Sequence, residues 1–307
     1  PFMGAILLFM ALGVGLMLIV GDLNGSHEMV ELTPAMLRNW HFNPESNLLI
    51  PMMFIVISCG AISGFHATQS PMMARCLKNE KYARPVFYGA MIAEGIVAMI
   101  WATAAITYFG GPEGLNAAMS ETGSVVNGVL VKNAEAADIV DMICRSWLGK
   151  VGAVIAILGV VICPITSGDT AFRSLRLSLA DLFKYDQKPI SKRLVVCLPV
   201  FVAAFFFCKV DFSTAWSYLG IANQILATIV LWTGAAYLIQ KGRAHWMCSL
   251  PAAFLTFICV SFLVVAPLGL GLAPIVGYIA GGAVALPLFA FCIVRARRYT
   301  SSLSGDR

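Results

Sequence analysis

Charge is what this chain lacks. Asp, Glu, Lys and Arg together make up 12% of its 307 residues, about half of the roughly 25% found in water-soluble domains, and that shortage excludes a soluble enzyme. The long apolar runs exclude a disordered chain and a disulfide-stapled secreted domain. Nine cysteines include no Cys-x-x-Cys pair, and most fall in or beside apolar stretches, where cysteine packs as a small hydrophobe. Catalytic patterns are missing as well. His27-Glu28-Met29-Val30-Glu31 lacks the second histidine of a zinc-protease helix, and neither a Gly-x-Ser-x-Gly elbow nor a phosphate loop occurs. The four histidines, His27, His41, His66 and His245, are dispersed. No metal, cofactor or nucleic-acid partner is expected.

Apolar length is what the chain has: 59% hydrophobic residues and a mean hydropathy of +0.82. Eight stretches are nearly free of charge: Phe2 to Val20, Leu48 to Phe65, Val86 to Phe109, Val151 to Gly168, Leu194 to Cys208, Trp216 to Ile239, Trp246 to Ala266 and Leu272 to Val294. A helix needs about 20 apolar residues to cross roughly 30 Å of hydrocarbon, which leaves only Leu194 to Cys208 short. The expectation is an all-α, polytopic membrane protein of about eight transmembrane helices, one domain over residues 1–307, with the lipid bilayer as its solvent.

Basic residues orient it. Alternate loops, together with the tail 295–307, hold 16 of the 21 Lys and Arg residues, so these lie on the cytoplasmic side and both ends of the chain with them. Dropping the short fifth span would put the basic loops on opposite sides of the membrane, so it is kept. Two long loops then face outward: residues 22–47, expected to carry one short surface helix, and residues 110–150, long enough to act as a lid. The chain opens on Pro1 and runs straight into an apolar helix, without a cleavable leader. It is read as a portion of a longer protein.

Polar groups at membrane depth normally face a cavity or a partner. The segment from Ser58 to Pro71 interrupts the second span with Gly60, Ser63, Gly64, His66, Gln69 and Pro71. It reads as an unwound stretch lining a binding cavity, or else as a helix end with a polar cap beyond Phe65. Thr166, Ser167 and Asp169 follow Pro164 and offer the oxygen ligands that hard cations prefer; the alternative is helix termination with Asp169 bridged to Arg173. Glu94, well inside the third span, is a proton acceptor, a partner of His66, or a neutral acid bonded to a neighbouring helix. Asn223 and Gln224 form an amide pair that either contacts substrate or ties helices together.

At SGFHATQS (Ser63 to Ser70) and TSGDTAFR (Thr166 to Arg173) the sequence resembles the carbon starvation protein A family. The likeness extends through EGIVAMIWATAAI (Glu94 to Ile106) and LGIANQILA (Leu219 to Ala227). The resemblance implies a bacterial inner-membrane secondary transporter tied to peptide use under carbon starvation, with some members similar to pyruvate symporters. It also implies a LeuT-like inverted-repeat fold, here lacking its first helices. In such a fold the Ser58 to Pro71 segment opens the second repeat, the loop 110–150 is the outward lid, and Thr166 and Ser167 sit where related transporters hold a coupling cation.

The expected function is uptake of small peptides or a small carboxylate such as pyruvate, driven by a proton or sodium gradient. Gly60, Ser63, Gly64, His66 and Gln69 would contact substrate, joined by Asn223 and Gln224. Thr166 and Ser167 would bind the coupling ion, with Glu94 and Asp169 as protonation or gating groups. The competing class is a membrane sensor or intramembrane enzyme built on the same polar cluster. Substrate identity and oligomeric state stay open.

Overall fold

The computed structural model describes residues 2–31, 33–34, 38–41, 44, 47–59, 63–209 and 212–305. It is nearly all helical. Among the described residues ten α-helices run in chain order: α1 (Phe2–Leu23), α2 (Leu49–Val56), α3 (Phe65–Cys76), α4 (Ala90–Tyr108), α5 (Pro112–Met119), α6 (Ala136–Leu182), α7 (Ile190–Phe207), α8 (Phe212–Gln240), α9 (Trp246–Val265) and α10 (Pro274–Gly305). The all-α expectation needs one correction. Ser124–Val126 (β1) and Val129–Val131 (β2) pair as a small antiparallel hairpin, turned by Asn127 and Gly128, both at positive φ, as a two-residue hairpin turn requires.

Seven helical segments among the described residues are long and apolar enough to cross a membrane: Gly4–Leu23, Glu80–Tyr108, Ala136–Gly159, Ile190–Phe207, Thr214–Gln240, Trp246–Val265 and Pro274–Ala296. Of the eight stretches expected, only Leu48 to Phe65 is not among them. The second stretch is not one helix but two short ones, α2 and α3, of 8 and 12 residues. The fourth is longer than expected: α6 passes through Pro164 in helical geometry and continues to Leu182, its one departure lying at Gly149. Arg173 and Arg176 therefore sit on a helix rather than in a loop. The short surface helix expected in residues 22–47 falls largely on residues outside those described.

The chain divides into two compact units, residues 1–47 with 77–170, and residues 48–76 with 171–307. In the first, α1 packs on α4. Its core gathers Met10, Val14 and Leu18 of α1, Ala104 of α4, and Ile139, Ile143, Cys144 and Trp147 of α6. Trp147 is also the centre of an aromatic group, with the His27 ring 5.0 Å away and Tyr108 edge-on at 6.0 Å. The loop after α1 is tied to α5: Arg38 stacks 3.5 Å above Trp40 and reaches Glu113, while Asn116 Nδ2 donates to the Trp40 carbonyl.

In the second unit α9 packs against both α8 and α10. Ile55 of α2, Ile221 of α8 and Ile258, Cys259 and Phe262 of α9 form its main core. Inside helices that face hydrocarbon, small hydroxyls bond backbone or one another rather than water. Thr256 Oγ1 donates to the Ala252 carbonyl at 2.7 Å and accepts from Trp232 Nε1 at 3.0 Å. Ser261 Oγ donates to the Gly277 carbonyl at 3.1 Å, tying α9 to α10.

Candidate functional site: an interrupted helix pinned by α8

The polar cluster of the second unit lies where the chain stops being helical. After α2 a single 3-10 turn covers Ile57–Cys59; Gly60, expected to contact substrate, lies with 61 and 62 outside the described residues. Helix resumes at α3, and the reason is local. Ser63 Oγ accepts the Phe65 N–H at 3.1 Å, its carbonyl accepts the His66 N–H at 3.3 Å, and Ala67 N–H reaches the Gly64 carbonyl at 3.0 Å. Ser63 is thus the N-cap that lets a helix start inside the apolar zone. The unwound stretch is accordingly shorter than Ser58 to Pro71. Pro71 lies within α3, because a proline removes a single N–H and a capped helix tolerates that loss.

Asn223, on α8, holds both sides of the gap. Its Nδ2 donates to the Ser58 carbonyl and to Ser63 Oγ, each at 3.0 Å. On the first side, Ser58 Oγ donates to the Gly220 carbonyl at 3.2 Å. Ser58, Ser63, Asn223 and Gln224 are all buried, at 1%, 9%, 7% and 2% exposure. A chain end in a water-poor interior leaves orphan carbonyls, and Asn223 satisfies one of them while fixing the start of the next helix. The two elements also come very close: a Cβ on Gly64 would run into the Asn223 carbonyl and lie 2.7 Å from Leu226 Cβ and 2.9 Å from Ala227 N. Only glycine fits there.

The remaining candidates fall as follows. His66 is half-buried in the first turn of α3, with Nδ1 3.3 Å from the Ser63 carbonyl. Gln69 lies one turn further on, also half-buried. Gln224 is almost wholly enclosed, and its Oε1 has no hydrogen-bond partner among the described residues. Thr166 is helical, but its side chain lies outside those described. Ser167 and Asp169 are exposed on α6 and Glu94 is exposed on α4. All four of these ion-coupling candidates belong to the first unit, whereas the Asn223 cluster belongs to the second. α6 stays helical across positions 164–169.

Ser58 and Gly220 are the partners the sequence reading missed. The signal was present in α8: Gly220, Asn223 and Ala227 recur at i, i+3 and i+7, which puts small and polar groups on one helical face, as close helix contact in a membrane demands.

A multi-pass helical membrane protein in which the facing ends of two short helices are joined by a buried amide is the class that this architecture defines. Comparison with known proteins gives the family: the profile of Carbon starvation protein CstA matches residues 5–137 and 113–262, and the chain belongs to that family. Among curated relatives, an uncharacterized protein of Haemophilus influenzae is 49% identical over 113 residues, covering 37% of this chain and 82% of that one. The peptide transporter CstA of Escherichia coli K12 is 27% identical over 268 residues, 67% of this chain and 38% of the transporter. The pyruvate/proton symporter BtsT of the same organism is 48% identical over 58 residues, 19% of this chain and 8% of its own. The chain thus spans well under half the length of the relatives named as transporters. No solved structure matches.

Proposed function

We propose that this chain forms part of a secondary active transporter that carries small peptides or a small carboxylate such as pyruvate across the cell membrane, coupled to a proton or sodium gradient. The observation that carries the reading is the pair of half-helices α2 and α3 with Asn223 bridging their ends. An interrupted span costs buried hydrogen bonds, and membrane proteins keep such breaks where backbone polar groups and helix ends serve a solute. Relatives named as peptide transporters and a pyruvate/proton symporter support the same class. In this reading Ser63, Gly64, His66 and Gln69 line the solute path with Gly60, Asn223 shapes it, and the free acceptor of Gln224 stands beside it. The positive end of α3 favours a carboxylate. Thr166, Ser167, Asp169 and Glu94 are the coupling candidates, and the fold is LeuT-like.

Uptake into proteoliposomes tests this. Radiolabelled pyruvate and a radiolabelled dipeptide are offered under an imposed proton or sodium gradient. Accumulation of one of them, abolished by dissipating the gradient and reduced at least about tenfold in His66→Ala and in Thr166→Ala, is the expected result; a tenfold change corresponds to about 1.4 kcal/mol. Equal accumulation by both variants and the unaltered protein overturns the site assignment. No gradient-dependent accumulation of either solute overturns the function.

A further inference from the structure

We propose that the elbow joining α6 to α7 is a binding site for an anionic phospholipid, with phosphatidylglycerol as the simplest headgroup that fits. Between positions 173 and 193 the chain carries Arg173, Arg176, Lys184, Lys188, Lys192 and Arg193 against two acids, Asp181 and Asp186. One of those acids is engaged locally: Asp186 Oδ1, exposed, accepts the backbone N–H of Lys188 at 3.1 Å. Among the described residues Arg176, Lys184, Lys188, Lys192 and Arg193 have no carboxylate partner. Arg193 instead sends Nε to the Gln187 carbonyl at 2.6 Å, and Lys192 Nζ lies 5.6 Å above the Tyr185 ring. These two contacts fold the turn back on the first residues of α7, so its positive charge is concentrated rather than dispersed.

The helix itself sharpens the need for an anion. α7 starts at Ile190 with no acid in its first turn, and Lys192 and Arg193 follow immediately. Cations at a helix N-terminus oppose the macrodipole, each unfavourably, and a bound phosphate removes that conflict. The elbow also holds polar atoms left unpaired: among the described residues Arg176 Nε and both side-chain amide atoms of Gln187 are buried without a hydrogen-bond partner. Two kinds of donor and one acceptor are what a phosphodiester with a glycerol headgroup would engage. Around them Leu182, Phe183, Ile190 and Leu194 are exposed, at 73%, 71%, 73% and 61%. Apolar side chains that flank a basic turn at the start of a membrane span meet acyl chains, so the occupant is a phospholipid rather than free phosphate or a soluble acidic protein.

Native mass spectrometry of the full chain in detergent, titrated with phosphatidylglycerol, phosphatidylcholine or inorganic phosphate, tests this. The probe variant is Lys188→Gln/Lys192→Gln, both at exposed positions, with unchanged elution in size exclusion as the check on folding. The control is Lys241→Gln/Arg243→Gln, which removes two charges from another exposed basic turn of the same unit. The expected result is retention of phosphatidylglycerol over phosphatidylcholine, weakened on the order of tenfold in the probe variant and unaltered in the control. Retention that survives the probe substitutions, or falls equally in the control, overturns the proposal. Inorganic phosphate that displaces the lipid at equal concentration overturns it in favour of a plain anion site.

Discussion

Asn223 supplies one amide group to two chain ends, and its chemistry makes it hard to replace. A buried carbonyl that loses its donor costs about 1–3 kcal/mol, so Asn223→Ala, which strands the Ser58 carbonyl and removes a partner of Ser63, is expected to lower the thermal unfolding midpoint in detergent. Asn223→Asp keeps the shape and loses the donor, and should be no better; a midpoint equal to that of the parent would show that the amide does not hold the break. Gly64 permits a sharper comparison. Gly64→Ala places a methyl against the α8 backbone, and overpacking costs about 1–3 kcal/mol or more. Gly168 is a helical glycine with nothing within 4 Å of an added Cβ, so Gly168→Ala should be neutral or stabilising by up to about 1 kcal/mol through helix propensity. Reversal of that order in unfolding measurements would refute the close approach of α3 and α8. Composition alone marked the region from Ser58 to Pro71 as unusual, because glycine, serine and histidine are costly in an apolar span. It did not reveal which group pays for the interruption, since the partner lies 165 residues away from Ser58 and no local pattern links the two.

Proline does not by itself end the helices of this chain, although α2 leaves helical geometry at Ile50, directly before Pro51. Pro71, Pro199, Pro251 and Pro287 all lie inside helices, because a bilayer interior offers no water to take over freed backbone groups and one missing N–H is the smaller loss. Apolar length therefore located the spans well, including the 18-residue α7 that charge parity argued for. It read α2 and α3 as one span, and it ended the fourth helix at Gly168 where α6 continues for more than three further turns. Hydropathy reports where the chain enters and leaves the apolar layer; helix continuity depends on hydrogen bonds that hydropathy does not see. α6 shows the same lesson at Gly149, where φ +62° and ψ −150° interrupt it. That conformation is almost confined to glycine and costs another residue about 1–3 kcal/mol. Gly149→Ala is expected to lower the unfolding midpoint and to raise hydrogen exchange in Ala136–Leu148. Unchanged exchange there would mean that the bend is set by the packing of Trp147 and Ile143 rather than by the glycine.

Across the whole molecule the question is whether two half-helices together cross the membrane. At about 1.5 Å per residue the helical residues 51–56 of α2 and the 12 residues of α3 rise about 27 Å when in line, so with the turn between them they match the roughly 30 Å of the hydrocarbon core. Neither half reaches across alone. If the pair crosses, Asn24 before it and Cys76 after it lie on opposite faces, and the positive-inside distribution puts Cys76, beside Arg75, Lys78 and Lys81, in the cytoplasm. Three further spans, α4, α6 and α7, then bring Cys208 to the outer face. Cys76 and Cys208 are free and exposed, and Asn24 is exposed too. Single-cysteine forms at 208, at 76 and at 24, the last through Asn24→Cys, should therefore divide when whole cells meet a membrane-impermeant maleimide. Positions 208 and 24 react; position 76 reacts only after the membrane is opened. Labelling of 24 and 76 from the same side would make α2 and α3 a re-entrant pair that dips in and returns. The solute path would then end within the membrane instead of traversing it, and a carrier built on this break would lose its physical basis even with every hydrogen bond of the Asn223 cluster intact.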